Sequence, residues 1–566
     1  MKKYLDNLYL LLLLNSIVAL LFILPRLLIP ASLLLPTRNV LAVIVAYTLR
    51  FHLLLILAFL MISIKPLFDW VKRIKPLTWI ALILVFIFGI YQFWFVGPYT
   101  HRVYFDEDIY LNIASNIALQ GQATKTNFGT PTQCFEGEYN KDPSGMPALV
   151  SVFFQFLGVN EYLGSRVTVI ISSLSILLVF LISFLLFGSE ILSLFAAFIF
   201  TILPENVIWA PTVAAEPYIV FFAGITLLGI LLYARTRENK ALFLALLGLA
   251  YTAQVRPEGV LLLLPIEAYL CFDLELEKKL NEKGFVAAWT GFFILLLPQF
   301  FNFGAFRGEG WGATGVPMFG LMHFINNFRT NLWYFFENTR WPVLVTVLAI
   351  FGIFPFRKWL REKALLGTMI LVFFSVFLFF YAGSYNYGTD VRFSLILNIP
   401  LVIFAAAGLV NVNSALNKWL KPILINPAWL LIFLISYRLV YPSIPIMEES
   451  IDSRSSHDYM VQVIRELPPD SYLLSYDPCI VAINGRSGSQ ATYAVRKEVM
   501  DKIFSKTDNV YFYQDIWSQI PPYKDQWKNL LTEYDLERIK GMKFRSYNFD
   551  LYRVRKKLAE PNIQSK

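Results

Sequence analysis

Stretches of about 17–25 predominantly apolar residues, each long enough to cross roughly 30 Å of hydrocarbon as a helix, recur through this chain. They fall at 8–30, 40–64, 77–97, 165–187, 190–209, 213–233, 241–256, 258–273, 285–306, 341–357, 364–384, 391–412 and 422–442. No water-soluble core needs about thirteen such stretches. The 566 residues are 57% hydrophobic and 16% charged, whereas soluble domains carry about 25% charged residues, so the apolar excess requires lipid as its solvent. The pattern predicts an α-helical polytopic membrane protein. Lys2 and Lys3 before the run Leu8–Leu24 mimic a signal peptide, but no small-residue cleavage site follows and more spans come next, so the run reads as a first anchor. Near residue 443 the membrane composition ends. The predicted division is an N-terminal transmembrane hairpin 1–76, a transmembrane domain 77–442 carrying an outer loop 98–164, and an external soluble α/β domain 443–566.

Loop charge sets the expected orientation. With the N-terminus in the cytoplasm, short inner loops hold Lys65, Lys72, Arg73 and Lys75, then Arg235, Arg237 and Lys240, and later Arg357, Lys358, Arg361 and Lys363; that density is what the positive-inside rule asks of cytoplasmic loops. The odd number of spans places the C-terminal domain outside. Arg50 and His52 fall inside the second span, where a charge is costly unless it faces protein or reaches the interface.

The net charge of +9 fits that topology bias, and no basic stripe with interleaved aromatics suggests nucleic acid as a partner. The three cysteines, Cys134, Cys271 and Cys479, form no C-x-x-C pair, and the four histidines stand far apart, which excludes a structural zinc spacing. Cys134 and Cys479 both fall on the outer side, where pairing and free thiols are equally compatible with the sequence.

In the tail, a helix at 457–466 is expected before a strand at 471–484, then a helix at 492–505, a strand at Val510–Tyr513 and a terminal hairpin within 542–554. The hairpin rests on the period-2 residues Phe544, Tyr547, Phe549, Leu551 and Tyr552.

Candidate chemistry concentrates in the long outer loop 98–164, since loops of this length are usually functional. Asp106-Glu107-Asp108 open a segment in which Ile109, Ile113 and Ile117 recur at helical spacing opposite Asp108, Asn112 and Ser115. That pattern predicts an amphipathic helix in the membrane interface. Acids in a first helical turn also act as caps and dipole partners, which is their plainest role. Downstream come Lys141-Asp142-Pro143, the entry Gly164-Ser165-Arg166, Ala215-Glu216-Pro217, Arg256-Pro257-Glu258-Gly259 and Asp390-Val391-Arg392-Phe393.

An acidic pair followed by Tyr110 and Gly121, a Lys/Pro turn, and a Gly…Arg span entry together resemble the GT-C glycosyltransferases, nearest to the protein O-mannosyltransferases and the lipid A aminoarabinose transferase. The resemblance covers roughly residues 77–412 and implies a GT-C-like catalytic domain at 77–442. It further implies transfer of a monosaccharide from a polyprenyl- or dolichyl-phosphate carrier to a protein, lipid or glycan acceptor on the outer face. By resemblance Asp106 is the general base, Glu107 the second acid and Lys141 a contact to carrier phosphate. Here the turn reads Lys-Asp-Pro instead of the family's Lys-Pro-Pro.

That chemistry is self-consistent. Displacing phosphate from an anomeric carbon passes through an oxocarbenium-like state, and phosphate leaves without a general acid. One carboxylate then suffices to take the acceptor proton, and a single displacement inverts the anomeric centre. Cations must meet the departing phosphate; the candidates are Lys141, Arg256 and Arg392, then Arg102 and Arg307. Tyr110 and Glu216 complete the expected substrate-binding set. Arg166 reads as structural, and Glu205 and Glu216 bracket one outer turn. No resident cofactor is expected, although in the oligosaccharyltransferase branch acids of this region help bind a divalent metal, which would make Asp106 and Glu216 ligands for Mg²⁺ or Mn²⁺. The Gly- and aromatic-rich loop 307–340 fits an interfacial belt or a gate. The alternatives are oligosaccharyltransferase-like transfer of a pyrophosphate-linked glycan, against which 443–566 contains no W-W-D-x-G stretch, and a transporter or flippase of lipid-linked sugars, which would show repeated halves or broken helices.

Overall fold

Helix Glu216–Thr236 is buried along nearly its whole length, a state open only to a segment that is apolar on all sides. The computed structural model describes residues 2–99, 106–126, 128–129, 139, 141–271, 279, 281–306, 317–337, 340–354, 359–385, 388–416, 422–441, 448–493, 496–521, 524 and 528–557. Cys134, Arg102, Arg307 and the glycines of 308–312 lie outside the described residues. The chain forms two compact units: Met1–Tyr99, Lys141–Leu149 and Tyr162–Pro445 make the first, and Thr100–Asn140, Val150–Glu161 and Ile446–Lys566 the second.

The first unit is helical. Seven of the described helices are long and apolar enough to cross a membrane, and four shorter apolar helices accompany them, so the chain is a multi-pass membrane protein. The expected span 258–273 consists of a 3-10 stretch Pro257–Leu262 and a helix Leu263–Cys271; Pro257 opens the 3-10 stretch, a first position at which its missing N–H costs nothing. Early helices such as Leu34–Ile62 expose Leu54, Leu57 and Phe51, an arrangement suited to lipid. The cost of His52 within that helix is met by protein: the ring is buried, and its Nε2 lies 2.9 Å from the Leu247 carbonyl. Helices Val343–Ile353 and Asn398–Leu416 cross where Gly352 and Gly408 face one another, each without room for a Cβ, the small-residue contact that membrane helices use for close approach.

The second unit holds a six-stranded sheet in the order β1-β3-β2-β4-β6-β5. Its strands are β1 (Phe128–Gly129), β2 (Tyr472–Ser475), β3 (Ser487–Gln490), β4 (Val510–Tyr513), β5 (Tyr534–Phe544) and β6 (Tyr547–Lys556). β2 runs parallel to β3 and β4, while β1, β5 and β6 add antiparallel. The expected strand 471–484 stops after Ser475, and Pro478–Ile483 is a helix; Pro478 suits a first helical turn and not a central strand. The hairpin is longer than 542–554, turning at Arg545 in a left-handed conformation, φ 51°.

Helix Asp106–Gln120 differs from the expectation of an interfacial amphipath. Ile109, Ile113 and Ile117 are buried, and so are Asp108, Asn112, Ser115 and Asn116. The polar side is satisfied within the unit: Asn112 Oδ1 accepts from Thr126 N at 2.6 Å, and Asn116 Nδ2 donates to the Thr124 carbonyl at 2.8 Å. The helix packs on Pro478–Ile483, and β1 zips onto β3. Much of the outer loop therefore belongs to the same unit as 446–566.

Asp515, just after β4, is fully enclosed; burial pushes its carboxyl up to about 7, opposed by backbone N–H donors including those of Ser518 and Tyr476. An acid whose folded value is raised binds more protons when folded, so this group makes stability fall as pH climbs from about 4 to about 7, by at most about 1.4 kcal/mol per pH unit. In Asp515→Asn that fall is expected to flatten, as read by hydrogen exchange of β4 in the full-length chain across this window.

Candidate functional site

Helix Glu216–Thr236 begins with a carboxylate, and helix Asn239–Val255 ends with an arginine, where the cation and the acid each suit the helix dipole. Within the first unit these ends meet. Arg256 Nη1 donates to Glu216 Oε1, and Arg256 Nε donates to Glu258 Oε1 at 2.5 Å. Arg392, in the 3-10 stretch Gly388–Leu397, brings its Nε to 3.1 Å from the same Glu216 oxygen. Both guanidiniums lie over the Phe393 ring, at 4.8 Å for Arg256 and 5.4 Å for Arg392. The small pocket at this cluster is closed by Ile219, Phe373, Phe377 and Ile396. Glu216 is 3% exposed, against 17% for Arg256 and 12% for Arg392, so the acid is the buried hub and the cations sit at its rim.

The described cluster joins two guanidiniums to two carboxylates. An anion entering here has to draw the arginine forks away from Glu216, and planar forks with several donors are what multi-oxygen anions select. Glu258 is the member that the sequence motif Arg256-Pro257-Glu258-Gly259 contained but to which sequence reasoning gave no role. Its place two residues after Arg256, with Pro257 between them, was the available signal, because the proline turns the chain back beside the guanidinium.

Lys141 also belongs to the first unit but does not line this pocket. The turn it opens is nonetheless tied to the approach to Arg256. Tyr251 Oη donates to the Gly145 carbonyl at 2.7 Å, and a Cβ at Gly145 would stand 2.6 Å from the Gln254 carbonyl and 2.7 Å from Val255 N. Gly145→Ala is therefore expected to be destabilising by about 1–3 kcal/mol, in the range of overpacked sites, measured by thermal unfolding in detergent. Arg166 is engaged by aromatic neighbours: its guanidinium lies 4.2 Å from the Trp94 ring and 4.3 Å from the Tyr162 ring, and Nη1 donates to the Trp94 carbonyl. Glu205 is buried and accepts from Trp209 Nε1 at 2.9 Å.

The acid triplet lies in the second unit, in the first turn of helix Asp106–Gln120. Asp106 is half-buried, whereas Glu107 and Asp108 are enclosed at 2% and 1% exposure and Tyr110 at 9%. Of the three acids, Asp106 is thus the one with solvent access. Among the described residues, no three His, Cys, Asp or Glu side chains gather in a way that would hold a metal ion, and Glu216 already spends its carboxylate on two guanidiniums.

Residues 141–301 match the model of a family described as dolichyl-phosphate-mannose-protein mannosyltransferase. No curated protein gives a significant match. Among solved structures the chain is similar to the Archaeoglobus fulgidus oligosaccharyltransferase in its apo form, at 13% identity and TM-score 0.50, covering 82% of this chain and 73% of that one. It is also similar to the archaeal oligosaccharyltransferase AglB from A. fulgidus in complex with an inhibitory peptide and a dolichol-phosphate (13% identity, TM-score 0.48, 82% and 73% covered). A third similar structure is ArnT from Cupriavidus metallidurans bound to undecaprenyl phosphate (14% identity, TM-score 0.49, 84% and 97% covered). The fold is the GT-C glycosyltransferase fold that the sequence resemblance implied.

Proposed function

We propose that this protein transfers a monosaccharide from a polyprenyl- or dolichyl-phosphate carrier to a protein, lipid or glycan acceptor on the outer face of the membrane. The observation that carries the reading is the joining of Glu216, Arg256 and Arg392 into one cluster. Two of these three residues lie within the stretch that matches the mannosyltransferase family. In this reading Arg256 and Arg392 take the carrier phosphate, with Lys141 as a further cation. Charge building on the departing phosphate then meets two guanidiniums kept side by side over the Phe393 ring, donors positioned before the charge develops. Asp106 accepts the proton of the acceptor hydroxyl, Glu107 and Tyr110 support that end of the substrate, and the sugar is passed in one displacement with inversion. The N-terminus is cytoplasmic and the C-terminal domain external.

The test is carrier turnover by the purified full-length protein over a panel of polyprenyl-phosphate monosaccharides, with a membrane extract as acceptor. Release of free polyprenyl phosphate together with a labelled product is expected. A folded protein that releases none from any of these donors, yet consumes a pyrophosphate-linked glycan, would replace this reading with the oligosaccharyltransferase one.

A further inference from the structure

The hairpin at residues 1–76 precedes the stretch that carries the family resemblance, yet three of its polar side chains reach into the transmembrane core. Asn15, on helix Lys2–Leu28, donates from Nδ2 to Glu267 Oε2 at 2.6 Å. Arg38, near the start of helix Leu34–Ile62, places Nε and Nη2 at 3.1 and 2.9 Å from the Ala305 carbonyl, where helix Lys283–Ala305 ends, and its guanidinium 4.1 Å from the Phe306 ring. His52, on the same helix as Arg38, is fully buried and brings Nε2 to 2.9 Å from the Leu247 carbonyl. A polar group inside a span is costly. Here each meets a different helix of the core: Leu263–Cys271, Lys283–Ala305 and Asn239–Val255. The last of these is the helix that ends at Arg256.

We propose that His52 is a positioning residue through which the N-terminal hairpin fixes Tyr251 and, by way of Tyr251, the turn that carries Lys141. A carbonyl oxygen accepts and cannot donate, so the ring nitrogen facing Leu247 carries the proton and donates it. Leu247 stands four residues before Tyr251, and an α-helix pairs that carbonyl with the Tyr251 N–H; the second lone pair of the same oxygen takes the histidine. The imidazole also stands edge-on to the Tyr251 ring, with centroids 5.1 Å apart and planes at 79°, while the Phe222 ring lies 4.3 Å from Tyr251. Held in this way, the buried Tyr251 hydroxyl donates to the Gly145 carbonyl at 2.7 Å. Gly145 is itself pressed against Gln254 and Val255, with no room for a Cβ. The contacts therefore run from His52 to Tyr251 to Gly145, four residues after Lys141, and a shift of Tyr251 is passed to that turn instead of being absorbed.

A histidine that only filled space would be replaceable by leucine, the usual occupant of a lipid-level helix. Two details set His52 apart from filler. The Leu247 carbonyl does not need it, because the bond within its own helix already satisfies that oxygen. The ring's other nitrogen, Nδ1, is buried and meets no hydrogen-bond partner among the described residues, so burying the imidazole costs more than an apolar side chain would. What the ring does contribute is a bond and an aromatic contact at the one residue whose hydroxyl leaves helix Asn239–Val255 for the Lys141 turn. The consequence for transfer, that the hairpin helps set where Lys141 and Arg256 meet the carrier phosphate, rests on the reading proposed above. The mechanical link from hairpin to turn does not.

The experiment compares two replacements of equal length in the full-length protein in detergent. His52→Gln puts an amide N–H where Nε2 stands, whereas His52→Met offers none. Hydrogen exchange of peptides within 141–149 is expected to rise by roughly tenfold in His52→Met and to stay at the wild-type level in His52→Gln, with helix Glu216–Thr236 protected in both. The KM for a polyprenyl-phosphate sugar is expected to rise by roughly fivefold in His52→Met with kcat little changed, the pattern of lost binding, and to return in His52→Gln. Tyr251→Phe, which removes only the hydroxyl bonded to Gly145, is expected to loosen 141–149 in the same way. Because the two contacts act in series, His52→Met combined with Tyr251→Phe should be no looser than Tyr251→Phe alone. Should His52→Met not fold, His52→Phe, a ring without the N–H, takes its place. An unchanged 141–149 in the folded variant, equal loosening in His52→Gln, or additive loosening in the double variant overturns the link. The expected exchange pattern in a protein that transfers no sugar from any carrier supports the link and removes its bearing on catalysis.

Discussion

Asp106→Asn is expected to leave the protein folded and to lower sugar transfer by about 10²–10⁴-fold, the contribution a positioned general base typically makes. The substitution separates the two roles open to an acid at the head of a helix. Asn caps a helix nearly as well as Asp, so a residue needed only as a cap would pass the change with a small loss of stability and normal turnover. A residue that must accept a proton would not, because an amide at the same place has no basic oxygen of comparable strength. Glu107 and Asp108 do not stand in for it, since both are enclosed while Asp106 keeps access to solvent. The measurement is release of free polyprenyl phosphate by wild type and variant side by side, with thermal unfolding of each. Equal turnover would take Asp106 out of the reaction.

Glu216→Gln is expected to destabilise the first unit by about 3–5 kcal/mol, the scale on which removing one partner of a buried ion pair is felt. The wild-type carboxylate is nearly inaccessible and meets the guanidiniums of both Arg256 and Arg392. With Gln in its place the two cations face each other over Phe393 without the carboxylate they share. A second outcome is tied to the first. If the arginines are a phosphate site, added polyprenyl phosphate should raise the unfolding temperature of the variant more than that of wild type, because the anion supplies the charge that was removed and anything binding the folded state stabilises it by mass action. A variant as stable as wild type and indifferent to the lipid phosphate would remove the cluster from carrier binding.

How much of this was legible beforehand depends on what each segment must satisfy. β4 lies where the run Val510–Tyr513 placed it, since a short β-branched and aromatic run has few other places to go. β3 is Ser-Gly-Ser-Gln, a string with no alternation to read, and it is a strand because β1 and β2 present edges on either side. The isoleucines of helix Asp106–Gln120 showed which face is apolar but not what covers the polar one; the cover is Thr124, Thr126 and the remote His457. Likewise Glu216, Arg256 and Arg392 each stood out in sequence, while their sharing of one carboxylate oxygen depends on three helical segments converging, which no local pattern records.

That the second unit draws on three separated stretches of chain has a bearing on how the protein is made. Helix Asp106–Gln120 leaves the ribosome long before the strands and the histidine that enclose it, with roughly 325 residues between Gln120 and Ile446. At about 5–20 residues per second the acid-led helix waits on the order of tens of seconds while the later membrane helices are inserted. During that interval Asn112 and Asn116 have Thr126 and Thr124 at hand, but Asp108 and the isoleucine face wait for helix Pro478–Ile483 and the rest of the later-made cover. The first turn that carries Asp106 is therefore enclosed last, after the segments that hold Glu216, Arg256 and Arg392 have already been made.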